Sequence, residues 1–273
     1  MITFTHVIST AFLVSGLFVA GISGWLLYKK RSLDVVRSTL KLGSITAIVA
    51  FFAVGITGDA QATKMVEIQP MKMAAAEALY ETAAPAPFSI FTIGTLDGSE
   101  PIFSIDIPHG LSLLATHSWD GEVQGINNLQ EQYEQEFGPG NYKPNIPAAY
   151  WNFRLMIGFG ALGALIAVYM LWATRKGRIP ESKWFPRLAM IGIITPLLGA
   201  STGWIFTEMG RQPWVVFSLM LTQNGVSPTV SVTQVLISMT VFTLLYGVLA
   251  VVEVGLLMRA VKIGPPDSVE SNY

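Results

Sequence analysis

The sequence predicts an all-α integral membrane protein, a bundle of five transmembrane helices with an extracytoplasmic loop domain. Of the 273 residues, 51% are hydrophobic and only 13% are charged, whereas soluble domains carry about 25% charged residues. The mean hydropathy is positive, at +0.49. Five apolar stretches are each long enough, at roughly 20 residues, to cross a hydrocarbon core about 30 Å thick. Much of the surface is therefore expected to face lipid.

The apolar stretches fall into two groups, two before a long polar segment and three after it. They extend over residues 5–28, 42–57, 150–174, 188–206 and 232–257. Glycine and proline occur inside several of them, as membrane helices tolerate, and the glycines allow close contact between helices. Each stretch is interpreted as one transmembrane helix.

Basic residues near the helix ends predict the orientation. Of the 17 lysines and arginines, twelve lie between the first and second helices, between the third and fourth, or after the fifth. The positive-inside rule makes that side cytoplasmic. The N-terminus is then outside and the C-terminus cytoplasmic. Arg154 and Arg211 break the pattern, because both fall at outer helix ends.

The long segment between the second and third helices is acidic and is predicted to form the outer loop domain. It holds three lysines against 12 acidic residues. Within it we expect a helix over 67–81 after Pro70, strands and turns over 87–114, and a polar helix over 127–137. The predicted units are residues 1–58, 59–147, 148–262 and a polar cytoplasmic tail, 263–273.

Composition excludes several classes of function. The chain has no cysteine, which rules out disulfides, iron–sulfur clusters and thiolate metal sites. Its 18 acids against 17 bases give no basic excess for nucleic acid, so no nucleic-acid partner is expected. Any metal must be held by methionine, a carboxylate, or one of the three histidines, His6, His109 and His117.

Two of these candidate ligands fall in one layer near the outer face. His6 lies at the outer end of the first helix and Met156 near the outer end of the third. An imidazole and a thioether form an axial pair that suits a haem iron and leaves no position for oxygen. The alternatives are plainer: an interfacial histidine, and a methionine that fills the core or contacts lipid.

Four further residues in this layer are candidates for a cofactor site. Trp204 and Glu208 are four residues apart on the fourth helix and share a face. A carboxylate at membrane depth is expected to have a partner. Arg154 and Arg211 either serve such groups or extend towards lipid headgroups. Since Arg154 and Met156 are two residues apart, about 200° around a helix, they cannot face one partner together.

Several motifs make the family recognisable. Residues 210–214 read GRQPW after the Trp204–Glu208 pair, and residues 58–59 and 69–77 read GD and QPMKMAAAE. Residues 4–6 (FTH) and 153–156 (FRLM) carry the two candidate axial ligands. With these motifs the chain resembles subunit I of the cytochrome bd-type quinol oxidases of bacterial respiratory membranes. It is similar to the last five of about nine helices in that subunit.

The resemblance implies roles for individual residues. His6 and Met156 would ligate a low-spin haem b, and Arg154 would favour its reduced form. Glu208 would ligate a high-spin haem b, Trp204 would lie between haems, and Arg211 would pair with propionates. The remaining ligands of an oxygen-binding haem d would belong to helices absent here.

The resemblance also implies a quinol site. Lys72 would donate to a quinol oxygen and Glu77 would accept a proton as a general base. The two are five residues apart, about 140° around a helix, so they would flank a ligand rather than form a close pair. Without the motif, the same residues would suit a solvated amphipathic helix.

The function implied is electron entry into a membrane-bound quinol:oxygen oxidoreductase. Its partners would be quinol, the lipid bilayer, subunit II, and a chain that supplies the missing N-terminal helices. Two alternatives stay open: a haem b protein that exchanges electrons with quinol without reducing oxygen, and a non-functional truncated remnant.

Overall fold

The computed structural model describes residues 1–95 and 98–265 and confirms the all-α membrane fold. Five helices are long and apolar enough to cross a membrane. The predicted tail lies, from residue 266 onwards, outside the described residues. In chain order the helices and strands are α1 (Ile2–Tyr28), α2 (Leu33–Ile68), α3 (Pro70–Glu77), β1 (Phe88–Gly94), β2 (Pro101–Ile107), α4 (Gly110–Thr116), α5 (Ile126–Phe137), α6 (Ile146–Thr174), α7 (Trp184–Met209), β3 (Trp214–Val216), β4 (Met220–Leu221) and α8 (Val232–Ile263).

Four of the long helices, α1, α2, α6 and α7, pack around one apolar core. Its centre includes the fully buried side chains Leu17, Leu40, Met170 and Phe185. The α1–α2 crossing is close because glycine lies on both helices. A Cβ built on Gly16 would come within 2.7 Å of the Ala47 backbone nitrogen. Small residues at helix crossings are typical of membrane bundles.

Helix α2 is longer than a membrane crossing requires. Its 36 residues, at 1.5 Å each, span about 54 Å, against about 30 Å of hydrocarbon. The sequence placed the end of the apolar stretch at Thr57, but the helix continues to Ile68. Pro70 begins α3 after a single non-helical residue, Gln69. We call the end of the bundle that meets residues 59–147 the loop end.

The loop domain contains the expected helices and strands, with two differences. Strands β1 and β2 form an antiparallel hairpin within the stretch 87–114, but that stretch finishes in a helix, α4. Helix α3 ends at Glu77, four residues before the predicted end. A left-handed residue, Ala78, terminates it.

Helix α8 stands apart from the other four long helices. None of its described residues is buried. Its last turn is joined to the segment between α1 and α2, where an Arg31 Nη1 atom donates to the Lys262 carbonyl at 2.7 Å. The hydroxyl of Ser32 donates to the Pro265 carbonyl at 3.2 Å.

The close α1–α2 crossing gives a stability prediction. Gly16→Ala places a methyl group against the backbone of α2 and is expected to lower the free energy of unfolding by about 1–3 kcal/mol. Gly160→Ala is the matched control, because a Cβ there has no neighbour within 4 Å. Unfolding in detergent measures both variants, and equal stabilities would show that the crossing is not tight.

Candidate functional site

The loop domain is fastened to the bundle by a buried ion pair between α3 and α6. An Arg154 Nη2 atom lies 2.6 Å from Glu77 Oε2, and Nη1 lies 3.3 Å from Oε1. The side chains are 13% and 2% exposed. Such a two-point contact is the strongest geometry available to an arginine and a carboxylate. It accounts for one of the two arginines that broke the orientation pattern.

The guanidinium of Arg154 makes further contacts that fill its donor positions. Its Nε and Nη2 atoms donate to the Ser89 carbonyl at 3.1 and 2.6 Å, and Nη1 donates to the Ala76 carbonyl at 3.3 Å. The guanidinium carbon also lies 4.7 Å and 4.8 Å from the ring centroids of Tyr150 and Phe88. Aromatic faces stabilise a partly desolvated cation. Arg154 is thus enclosed by protein rather than extended to headgroups.

The electrostatics of Glu77 follow from this burial. Burial raises the pKa of the Glu77 carboxyl above its ordinary value, and the neighbouring Arg154 guanidinium opposes that rise. Desolvation penalises the charged form of an acid, while an opposite charge favours it. The carboxyl is therefore a stronger proton acceptor than an exposed glutamate.

Lys72, near the other end of α3, contacts α7. Its Nζ atom lies 3.4 Å from the Thr207 carbonyl and 5.0 Å from the centroid of the Phe206 ring. Lys72 and Glu77 thus belong to separate clusters, in agreement with their predicted separation around the helix. The expectation of a solvated helix does not fit, since six of the eight α3 residues are buried.

A small cleft, with a cavity volume of about 10 Å³, adjoins Lys72 between α3 and the segment after α7. Its lining includes Gln69, Tyr142, Arg211 and Trp214. Burial and repulsion from Arg211 lower the pKa of the Lys72 ammonium to about 8, against the attraction of Glu208. At neutral pH the lysine is mostly charged and can donate hydrogen bonds.

Glu208 and Arg211 form a second ion pair near this cleft. An Arg211 Nη2 atom lies 2.5 Å from Glu208 Oε2, with the side chains 40% and 37% exposed. Among the described residues, the buried Nε of Arg211 and the Nε1 of Trp214 have no hydrogen-bond partner. Two donors without acceptors suit a ligand that carries oxygen atoms. Trp204, one turn before Glu208, is 69% exposed.

His6 and Met156 lie on two different spans and have separate neighbours. The Nδ1 atom of His6 is 3.1 Å from the Thr57 hydroxyl of α2. Met156 packs against α7, where a Cβ on Gly203 would come within 2.7 Å of its sulfur atom. Both side chains are partly buried. The other two histidines lie in the loop domain, where His117 Nε2 is 3.1 Å from an Asp59 carboxylate oxygen.

His6 and Met156 offer one candidate ligand atom each. Within residues 1–95 and 98–265, no group of three or more histidines and carboxylates is arranged to hold an ion. A haem iron needs only two axial ligands from the protein. The Nδ1 atom of His6 lies at the Thr57 hydroxyl, and the ring also forms a hydrogen bond with the backbone of Val54 on the same helix as Thr57.

Sequence reasoning missed several residues of this region. The carbonyl of Ser89 and the ring of Tyr150 contact Arg154, Trp214 lines the cleft, and Thr57 contacts His6. Tyr150 and Trp214 carried a weak signal, because Tyr150 lies just before the 153–156 motif and Trp214 is the last residue of the 210–214 motif. Ser89 and Thr57 carried none, since each contact joins residues more than 50 positions apart.

Comparisons with known proteins agree on one family. The family model described as cytochrome bd terminal oxidase subunit I matches residues 1–265. The chain is 38% identical over 264 residues to cytochrome bd ubiquinol oxidase subunit 1 of Bacillus subtilis (strain 168), covering 96% of this chain and 56% of that protein. It is 26% identical over 321 residues to cytochrome bd-II ubiquinol oxidase subunit 1 of Escherichia coli (strain K12), covering 97% of this chain and 62% of that protein.

A solved structure shares the fold as well. The bd oxidase from Geobacillus thermodenitrificans matches with a TM-score of 0.81 and 29% sequence identity, over 96% of this chain and 57% of that one. The chain thus spans between 56% and 62% of the length of these relatives.

The two ion pairs of the site are expected to differ in strength. Arg154→Met leaves the Glu77 carboxylate buried without a partner and is expected to lower the free energy of unfolding by about 3–5 kcal/mol. Arg211→Met, which breaks the half-exposed pair, should cost about 0–1 kcal/mol. Unfolding of both variants in detergent measures the difference. A similar loss in each would mean that the Arg154–Glu77 pair is not what fastens the loop.

Proposed function

Because the chain belongs to the cytochrome bd terminal oxidase subunit I family, we propose that it forms the electron-entry part of a membrane-bound quinol:oxygen oxidoreductase. The observation that carries this proposal is the position of α3. Its two polar side chains reach α6 through Arg154 and α7 through Thr207. Candidate quinol groups therefore adjoin the two helices that carry Met156 and Glu208.

His6 and Met156 are proposed to be the axial ligands of a low-spin haem b. A haem with both axial positions filled transfers single electrons and has no position for oxygen. The imidazole is supplied by α1 and the thioether by α6, so the macrocycle would lie within the four-helix bundle at its loop end. Because Gly203 on α7 has no side chain, the Met156 sulfur can pack against that helix.

The quinol groups proposed here have complementary chemistry. Oxidation of a quinol to a quinone releases two electrons and two protons. Lys72 is mostly charged at neutral pH and donates to a quinol oxygen, which fixes the ring. Glu77 accepts a proton as a general base, and burial, by raising its pKa, makes it a better acceptor. Arg154 holds that carboxyl in place.

The second ion pair is proposed to serve a high-spin haem b. Glu208 would ligate its iron and Arg211 would contact its propionates, with Trp204 between haems. The unpartnered Nε of Arg211 supports this assignment, because a propionate supplies the missing acceptor. A haem d and oxygen reduction would require helices beyond those in this chain, which spans 56–62% of its relatives.

The proposed partners follow from the part of the oxidase that this chain represents. A chain that supplies the remaining helices, subunit II of the oxidase and the lipid bilayer complete the assembly. The loop end would face the outside of a bacterial cytoplasmic membrane, because the basic segments lie at the opposite end of the bundle. Quinol protons would then be released outside.

Spectroscopy of purified variants tests the haem ligands. His6→Ala and Met156→Leu are each expected to abolish the low-spin haem b signal in a reduced-minus-oxidised spectrum, since each removes one axial ligand. His117→Ala and Met170→Leu are matched controls, because neither residue lies among the proposed ligands. An unchanged low-spin signal in both ligand variants would show the assignment to be wrong. Haem d and oxygen consumption on co-expression with the missing helices would separate the oxidase from a haem b protein that does not reduce oxygen.

The pH dependence of quinol oxidation tests Lys72. The pKa of this lysine is lowered to about 8, so the ammonium is present below that pH and is lost as the pH rises through it. The rate at which a short-chain quinol reduces the bound haem is therefore expected to fall above about pH 8. In Lys72→Arg this alkaline decline should disappear, because arginine stays charged. A decline unchanged in Lys72→Arg would assign it to another group.

A further inference from the structure

The hydrogen bond between His6 and Thr57 joins the proposed haem ligand on α1 to α2. The His6 Nδ1 atom and the Thr57 Oγ1 atom are 3.1 Å apart. The ring also lies against the next residue, Gly58, where a Cβ would be 3.4 Å from the His6 Cε1 atom. One edge of the imidazole therefore faces α2.

The direction of this hydrogen bond follows from a second bond made by the same hydroxyl. Thr57 Oγ1 is 2.7 Å from the Ala53 carbonyl, one turn earlier on α2. A carbonyl only accepts, and a hydroxyl has a single proton. The Thr57 proton is thus directed to Ala53, and its oxygen has lone pairs to accept from His6. The donor to Thr57 is then the Nδ1–H group of the imidazole, and the ring also forms a hydrogen bond with the backbone of Val54, on the same turn of α2.

We propose that Thr57 is a positioning residue that holds His6 in the Nδ1–H tautomer, so that the Nε2 lone pair is presented to a haem iron. This inference rests on the proposed function, in which His6 is an axial ligand. A neutral imidazole has one N–H and one free lone pair, and the hydrogen bond of one nitrogen fixes which of them binds the metal. Thr57 selects Nε2.

The hydrogen bond also adjusts the electronic character of the ligand. An acceptor at the Nδ1–H group makes the imidazole more basic, and a more basic ligand favours ferric over ferrous iron. Loss of the acceptor is therefore expected to raise the midpoint potential of the haem. Outer contacts of this kind typically change metal affinity by about 10- to 100-fold.

The chain offers three variants that separate this role from an ordinary helix contact. Thr57→Val keeps the shape of the side chain and removes the hydroxyl. Thr57→Ser keeps the hydroxyl. Thr63→Val removes an equivalent hydroxyl, which bonds to the Asp59 carbonyl at 3.1 Å on the same helix, without touching His6.

Redox titration of the low-spin haem and its rate of loss to apomyoglobin are the two readouts, on the full chain in detergent. Thr57→Val is expected to raise the midpoint potential and to weaken haem binding by about 10- to 100-fold. Thr57→Ser and Thr63→Val should match the unsubstituted chain. A wild-type potential and haem affinity in Thr57→Val would overturn the inference, as would an equal change in Thr63→Val.

The His6→Ala variant shows whether only the proposed role of Thr57 is wrong or whether the haem-ligand assignment of His6 is wrong as well. If it loses the low-spin haem while Thr57→Val behaves as wild type, the ligand assignment stands and the role of Thr57 is wrong. If His6→Ala keeps the haem, or the unsubstituted chain binds none, the proposed function fails and the role of Thr57 fails with it.

Discussion

The buried ion pair between Arg154 and Glu77 is the interaction on which the arrangement of the loop end depends. Two charges removed from water are stable together only if each has a partner and its remaining donors are satisfied. Arg154 meets that condition through the carboxylate of Glu77, two backbone carbonyls and the surrounding rings. Since Glu77 ends α3, the pair fixes that short helix over α6. Lys72 at the start of α3 is then brought against α7.

Helical periodicity places residues that are close in sequence on different sides of a helix. Arg154 and Met156 point about 200° apart on α6, so the arginine can hold the loop while the methionine faces α7. The same rule separates Lys72 from Glu77 by about 140° on α3. The proposed proton acceptor is consequently buried with an arginine, and the proposed quinol donor adjoins a cleft. One short helix thereby links the proposed quinol site to two membrane helices.

Much of this fold could be predicted from sequence, because membrane spans are encoded locally. The lengths of the apolar stretches predicted the five helices. The distribution of basic residues at the helix ends identified Arg154 and Arg211 as residues that needed partners. The partner of Arg154 could not be predicted, since Glu77 lies 77 positions away and the contact depends on how the loop folds back. The burial of α3 was missed for the same reason. Its alanines allow close packing that no local pattern distinguishes from a solvated helix.

Ligation of one haem iron by His6 and Met156 is tested most directly by near-infrared magnetic circular dichroism of the oxidised full chain. The energy of the charge-transfer band identifies the axial pair of a low-spin ferric haem without substitution of any residue. A band at the energy typical of histidine–methionine ligation is expected. A band typical of two histidines, or a spectrum of high-spin iron alone, would contradict the proposed site.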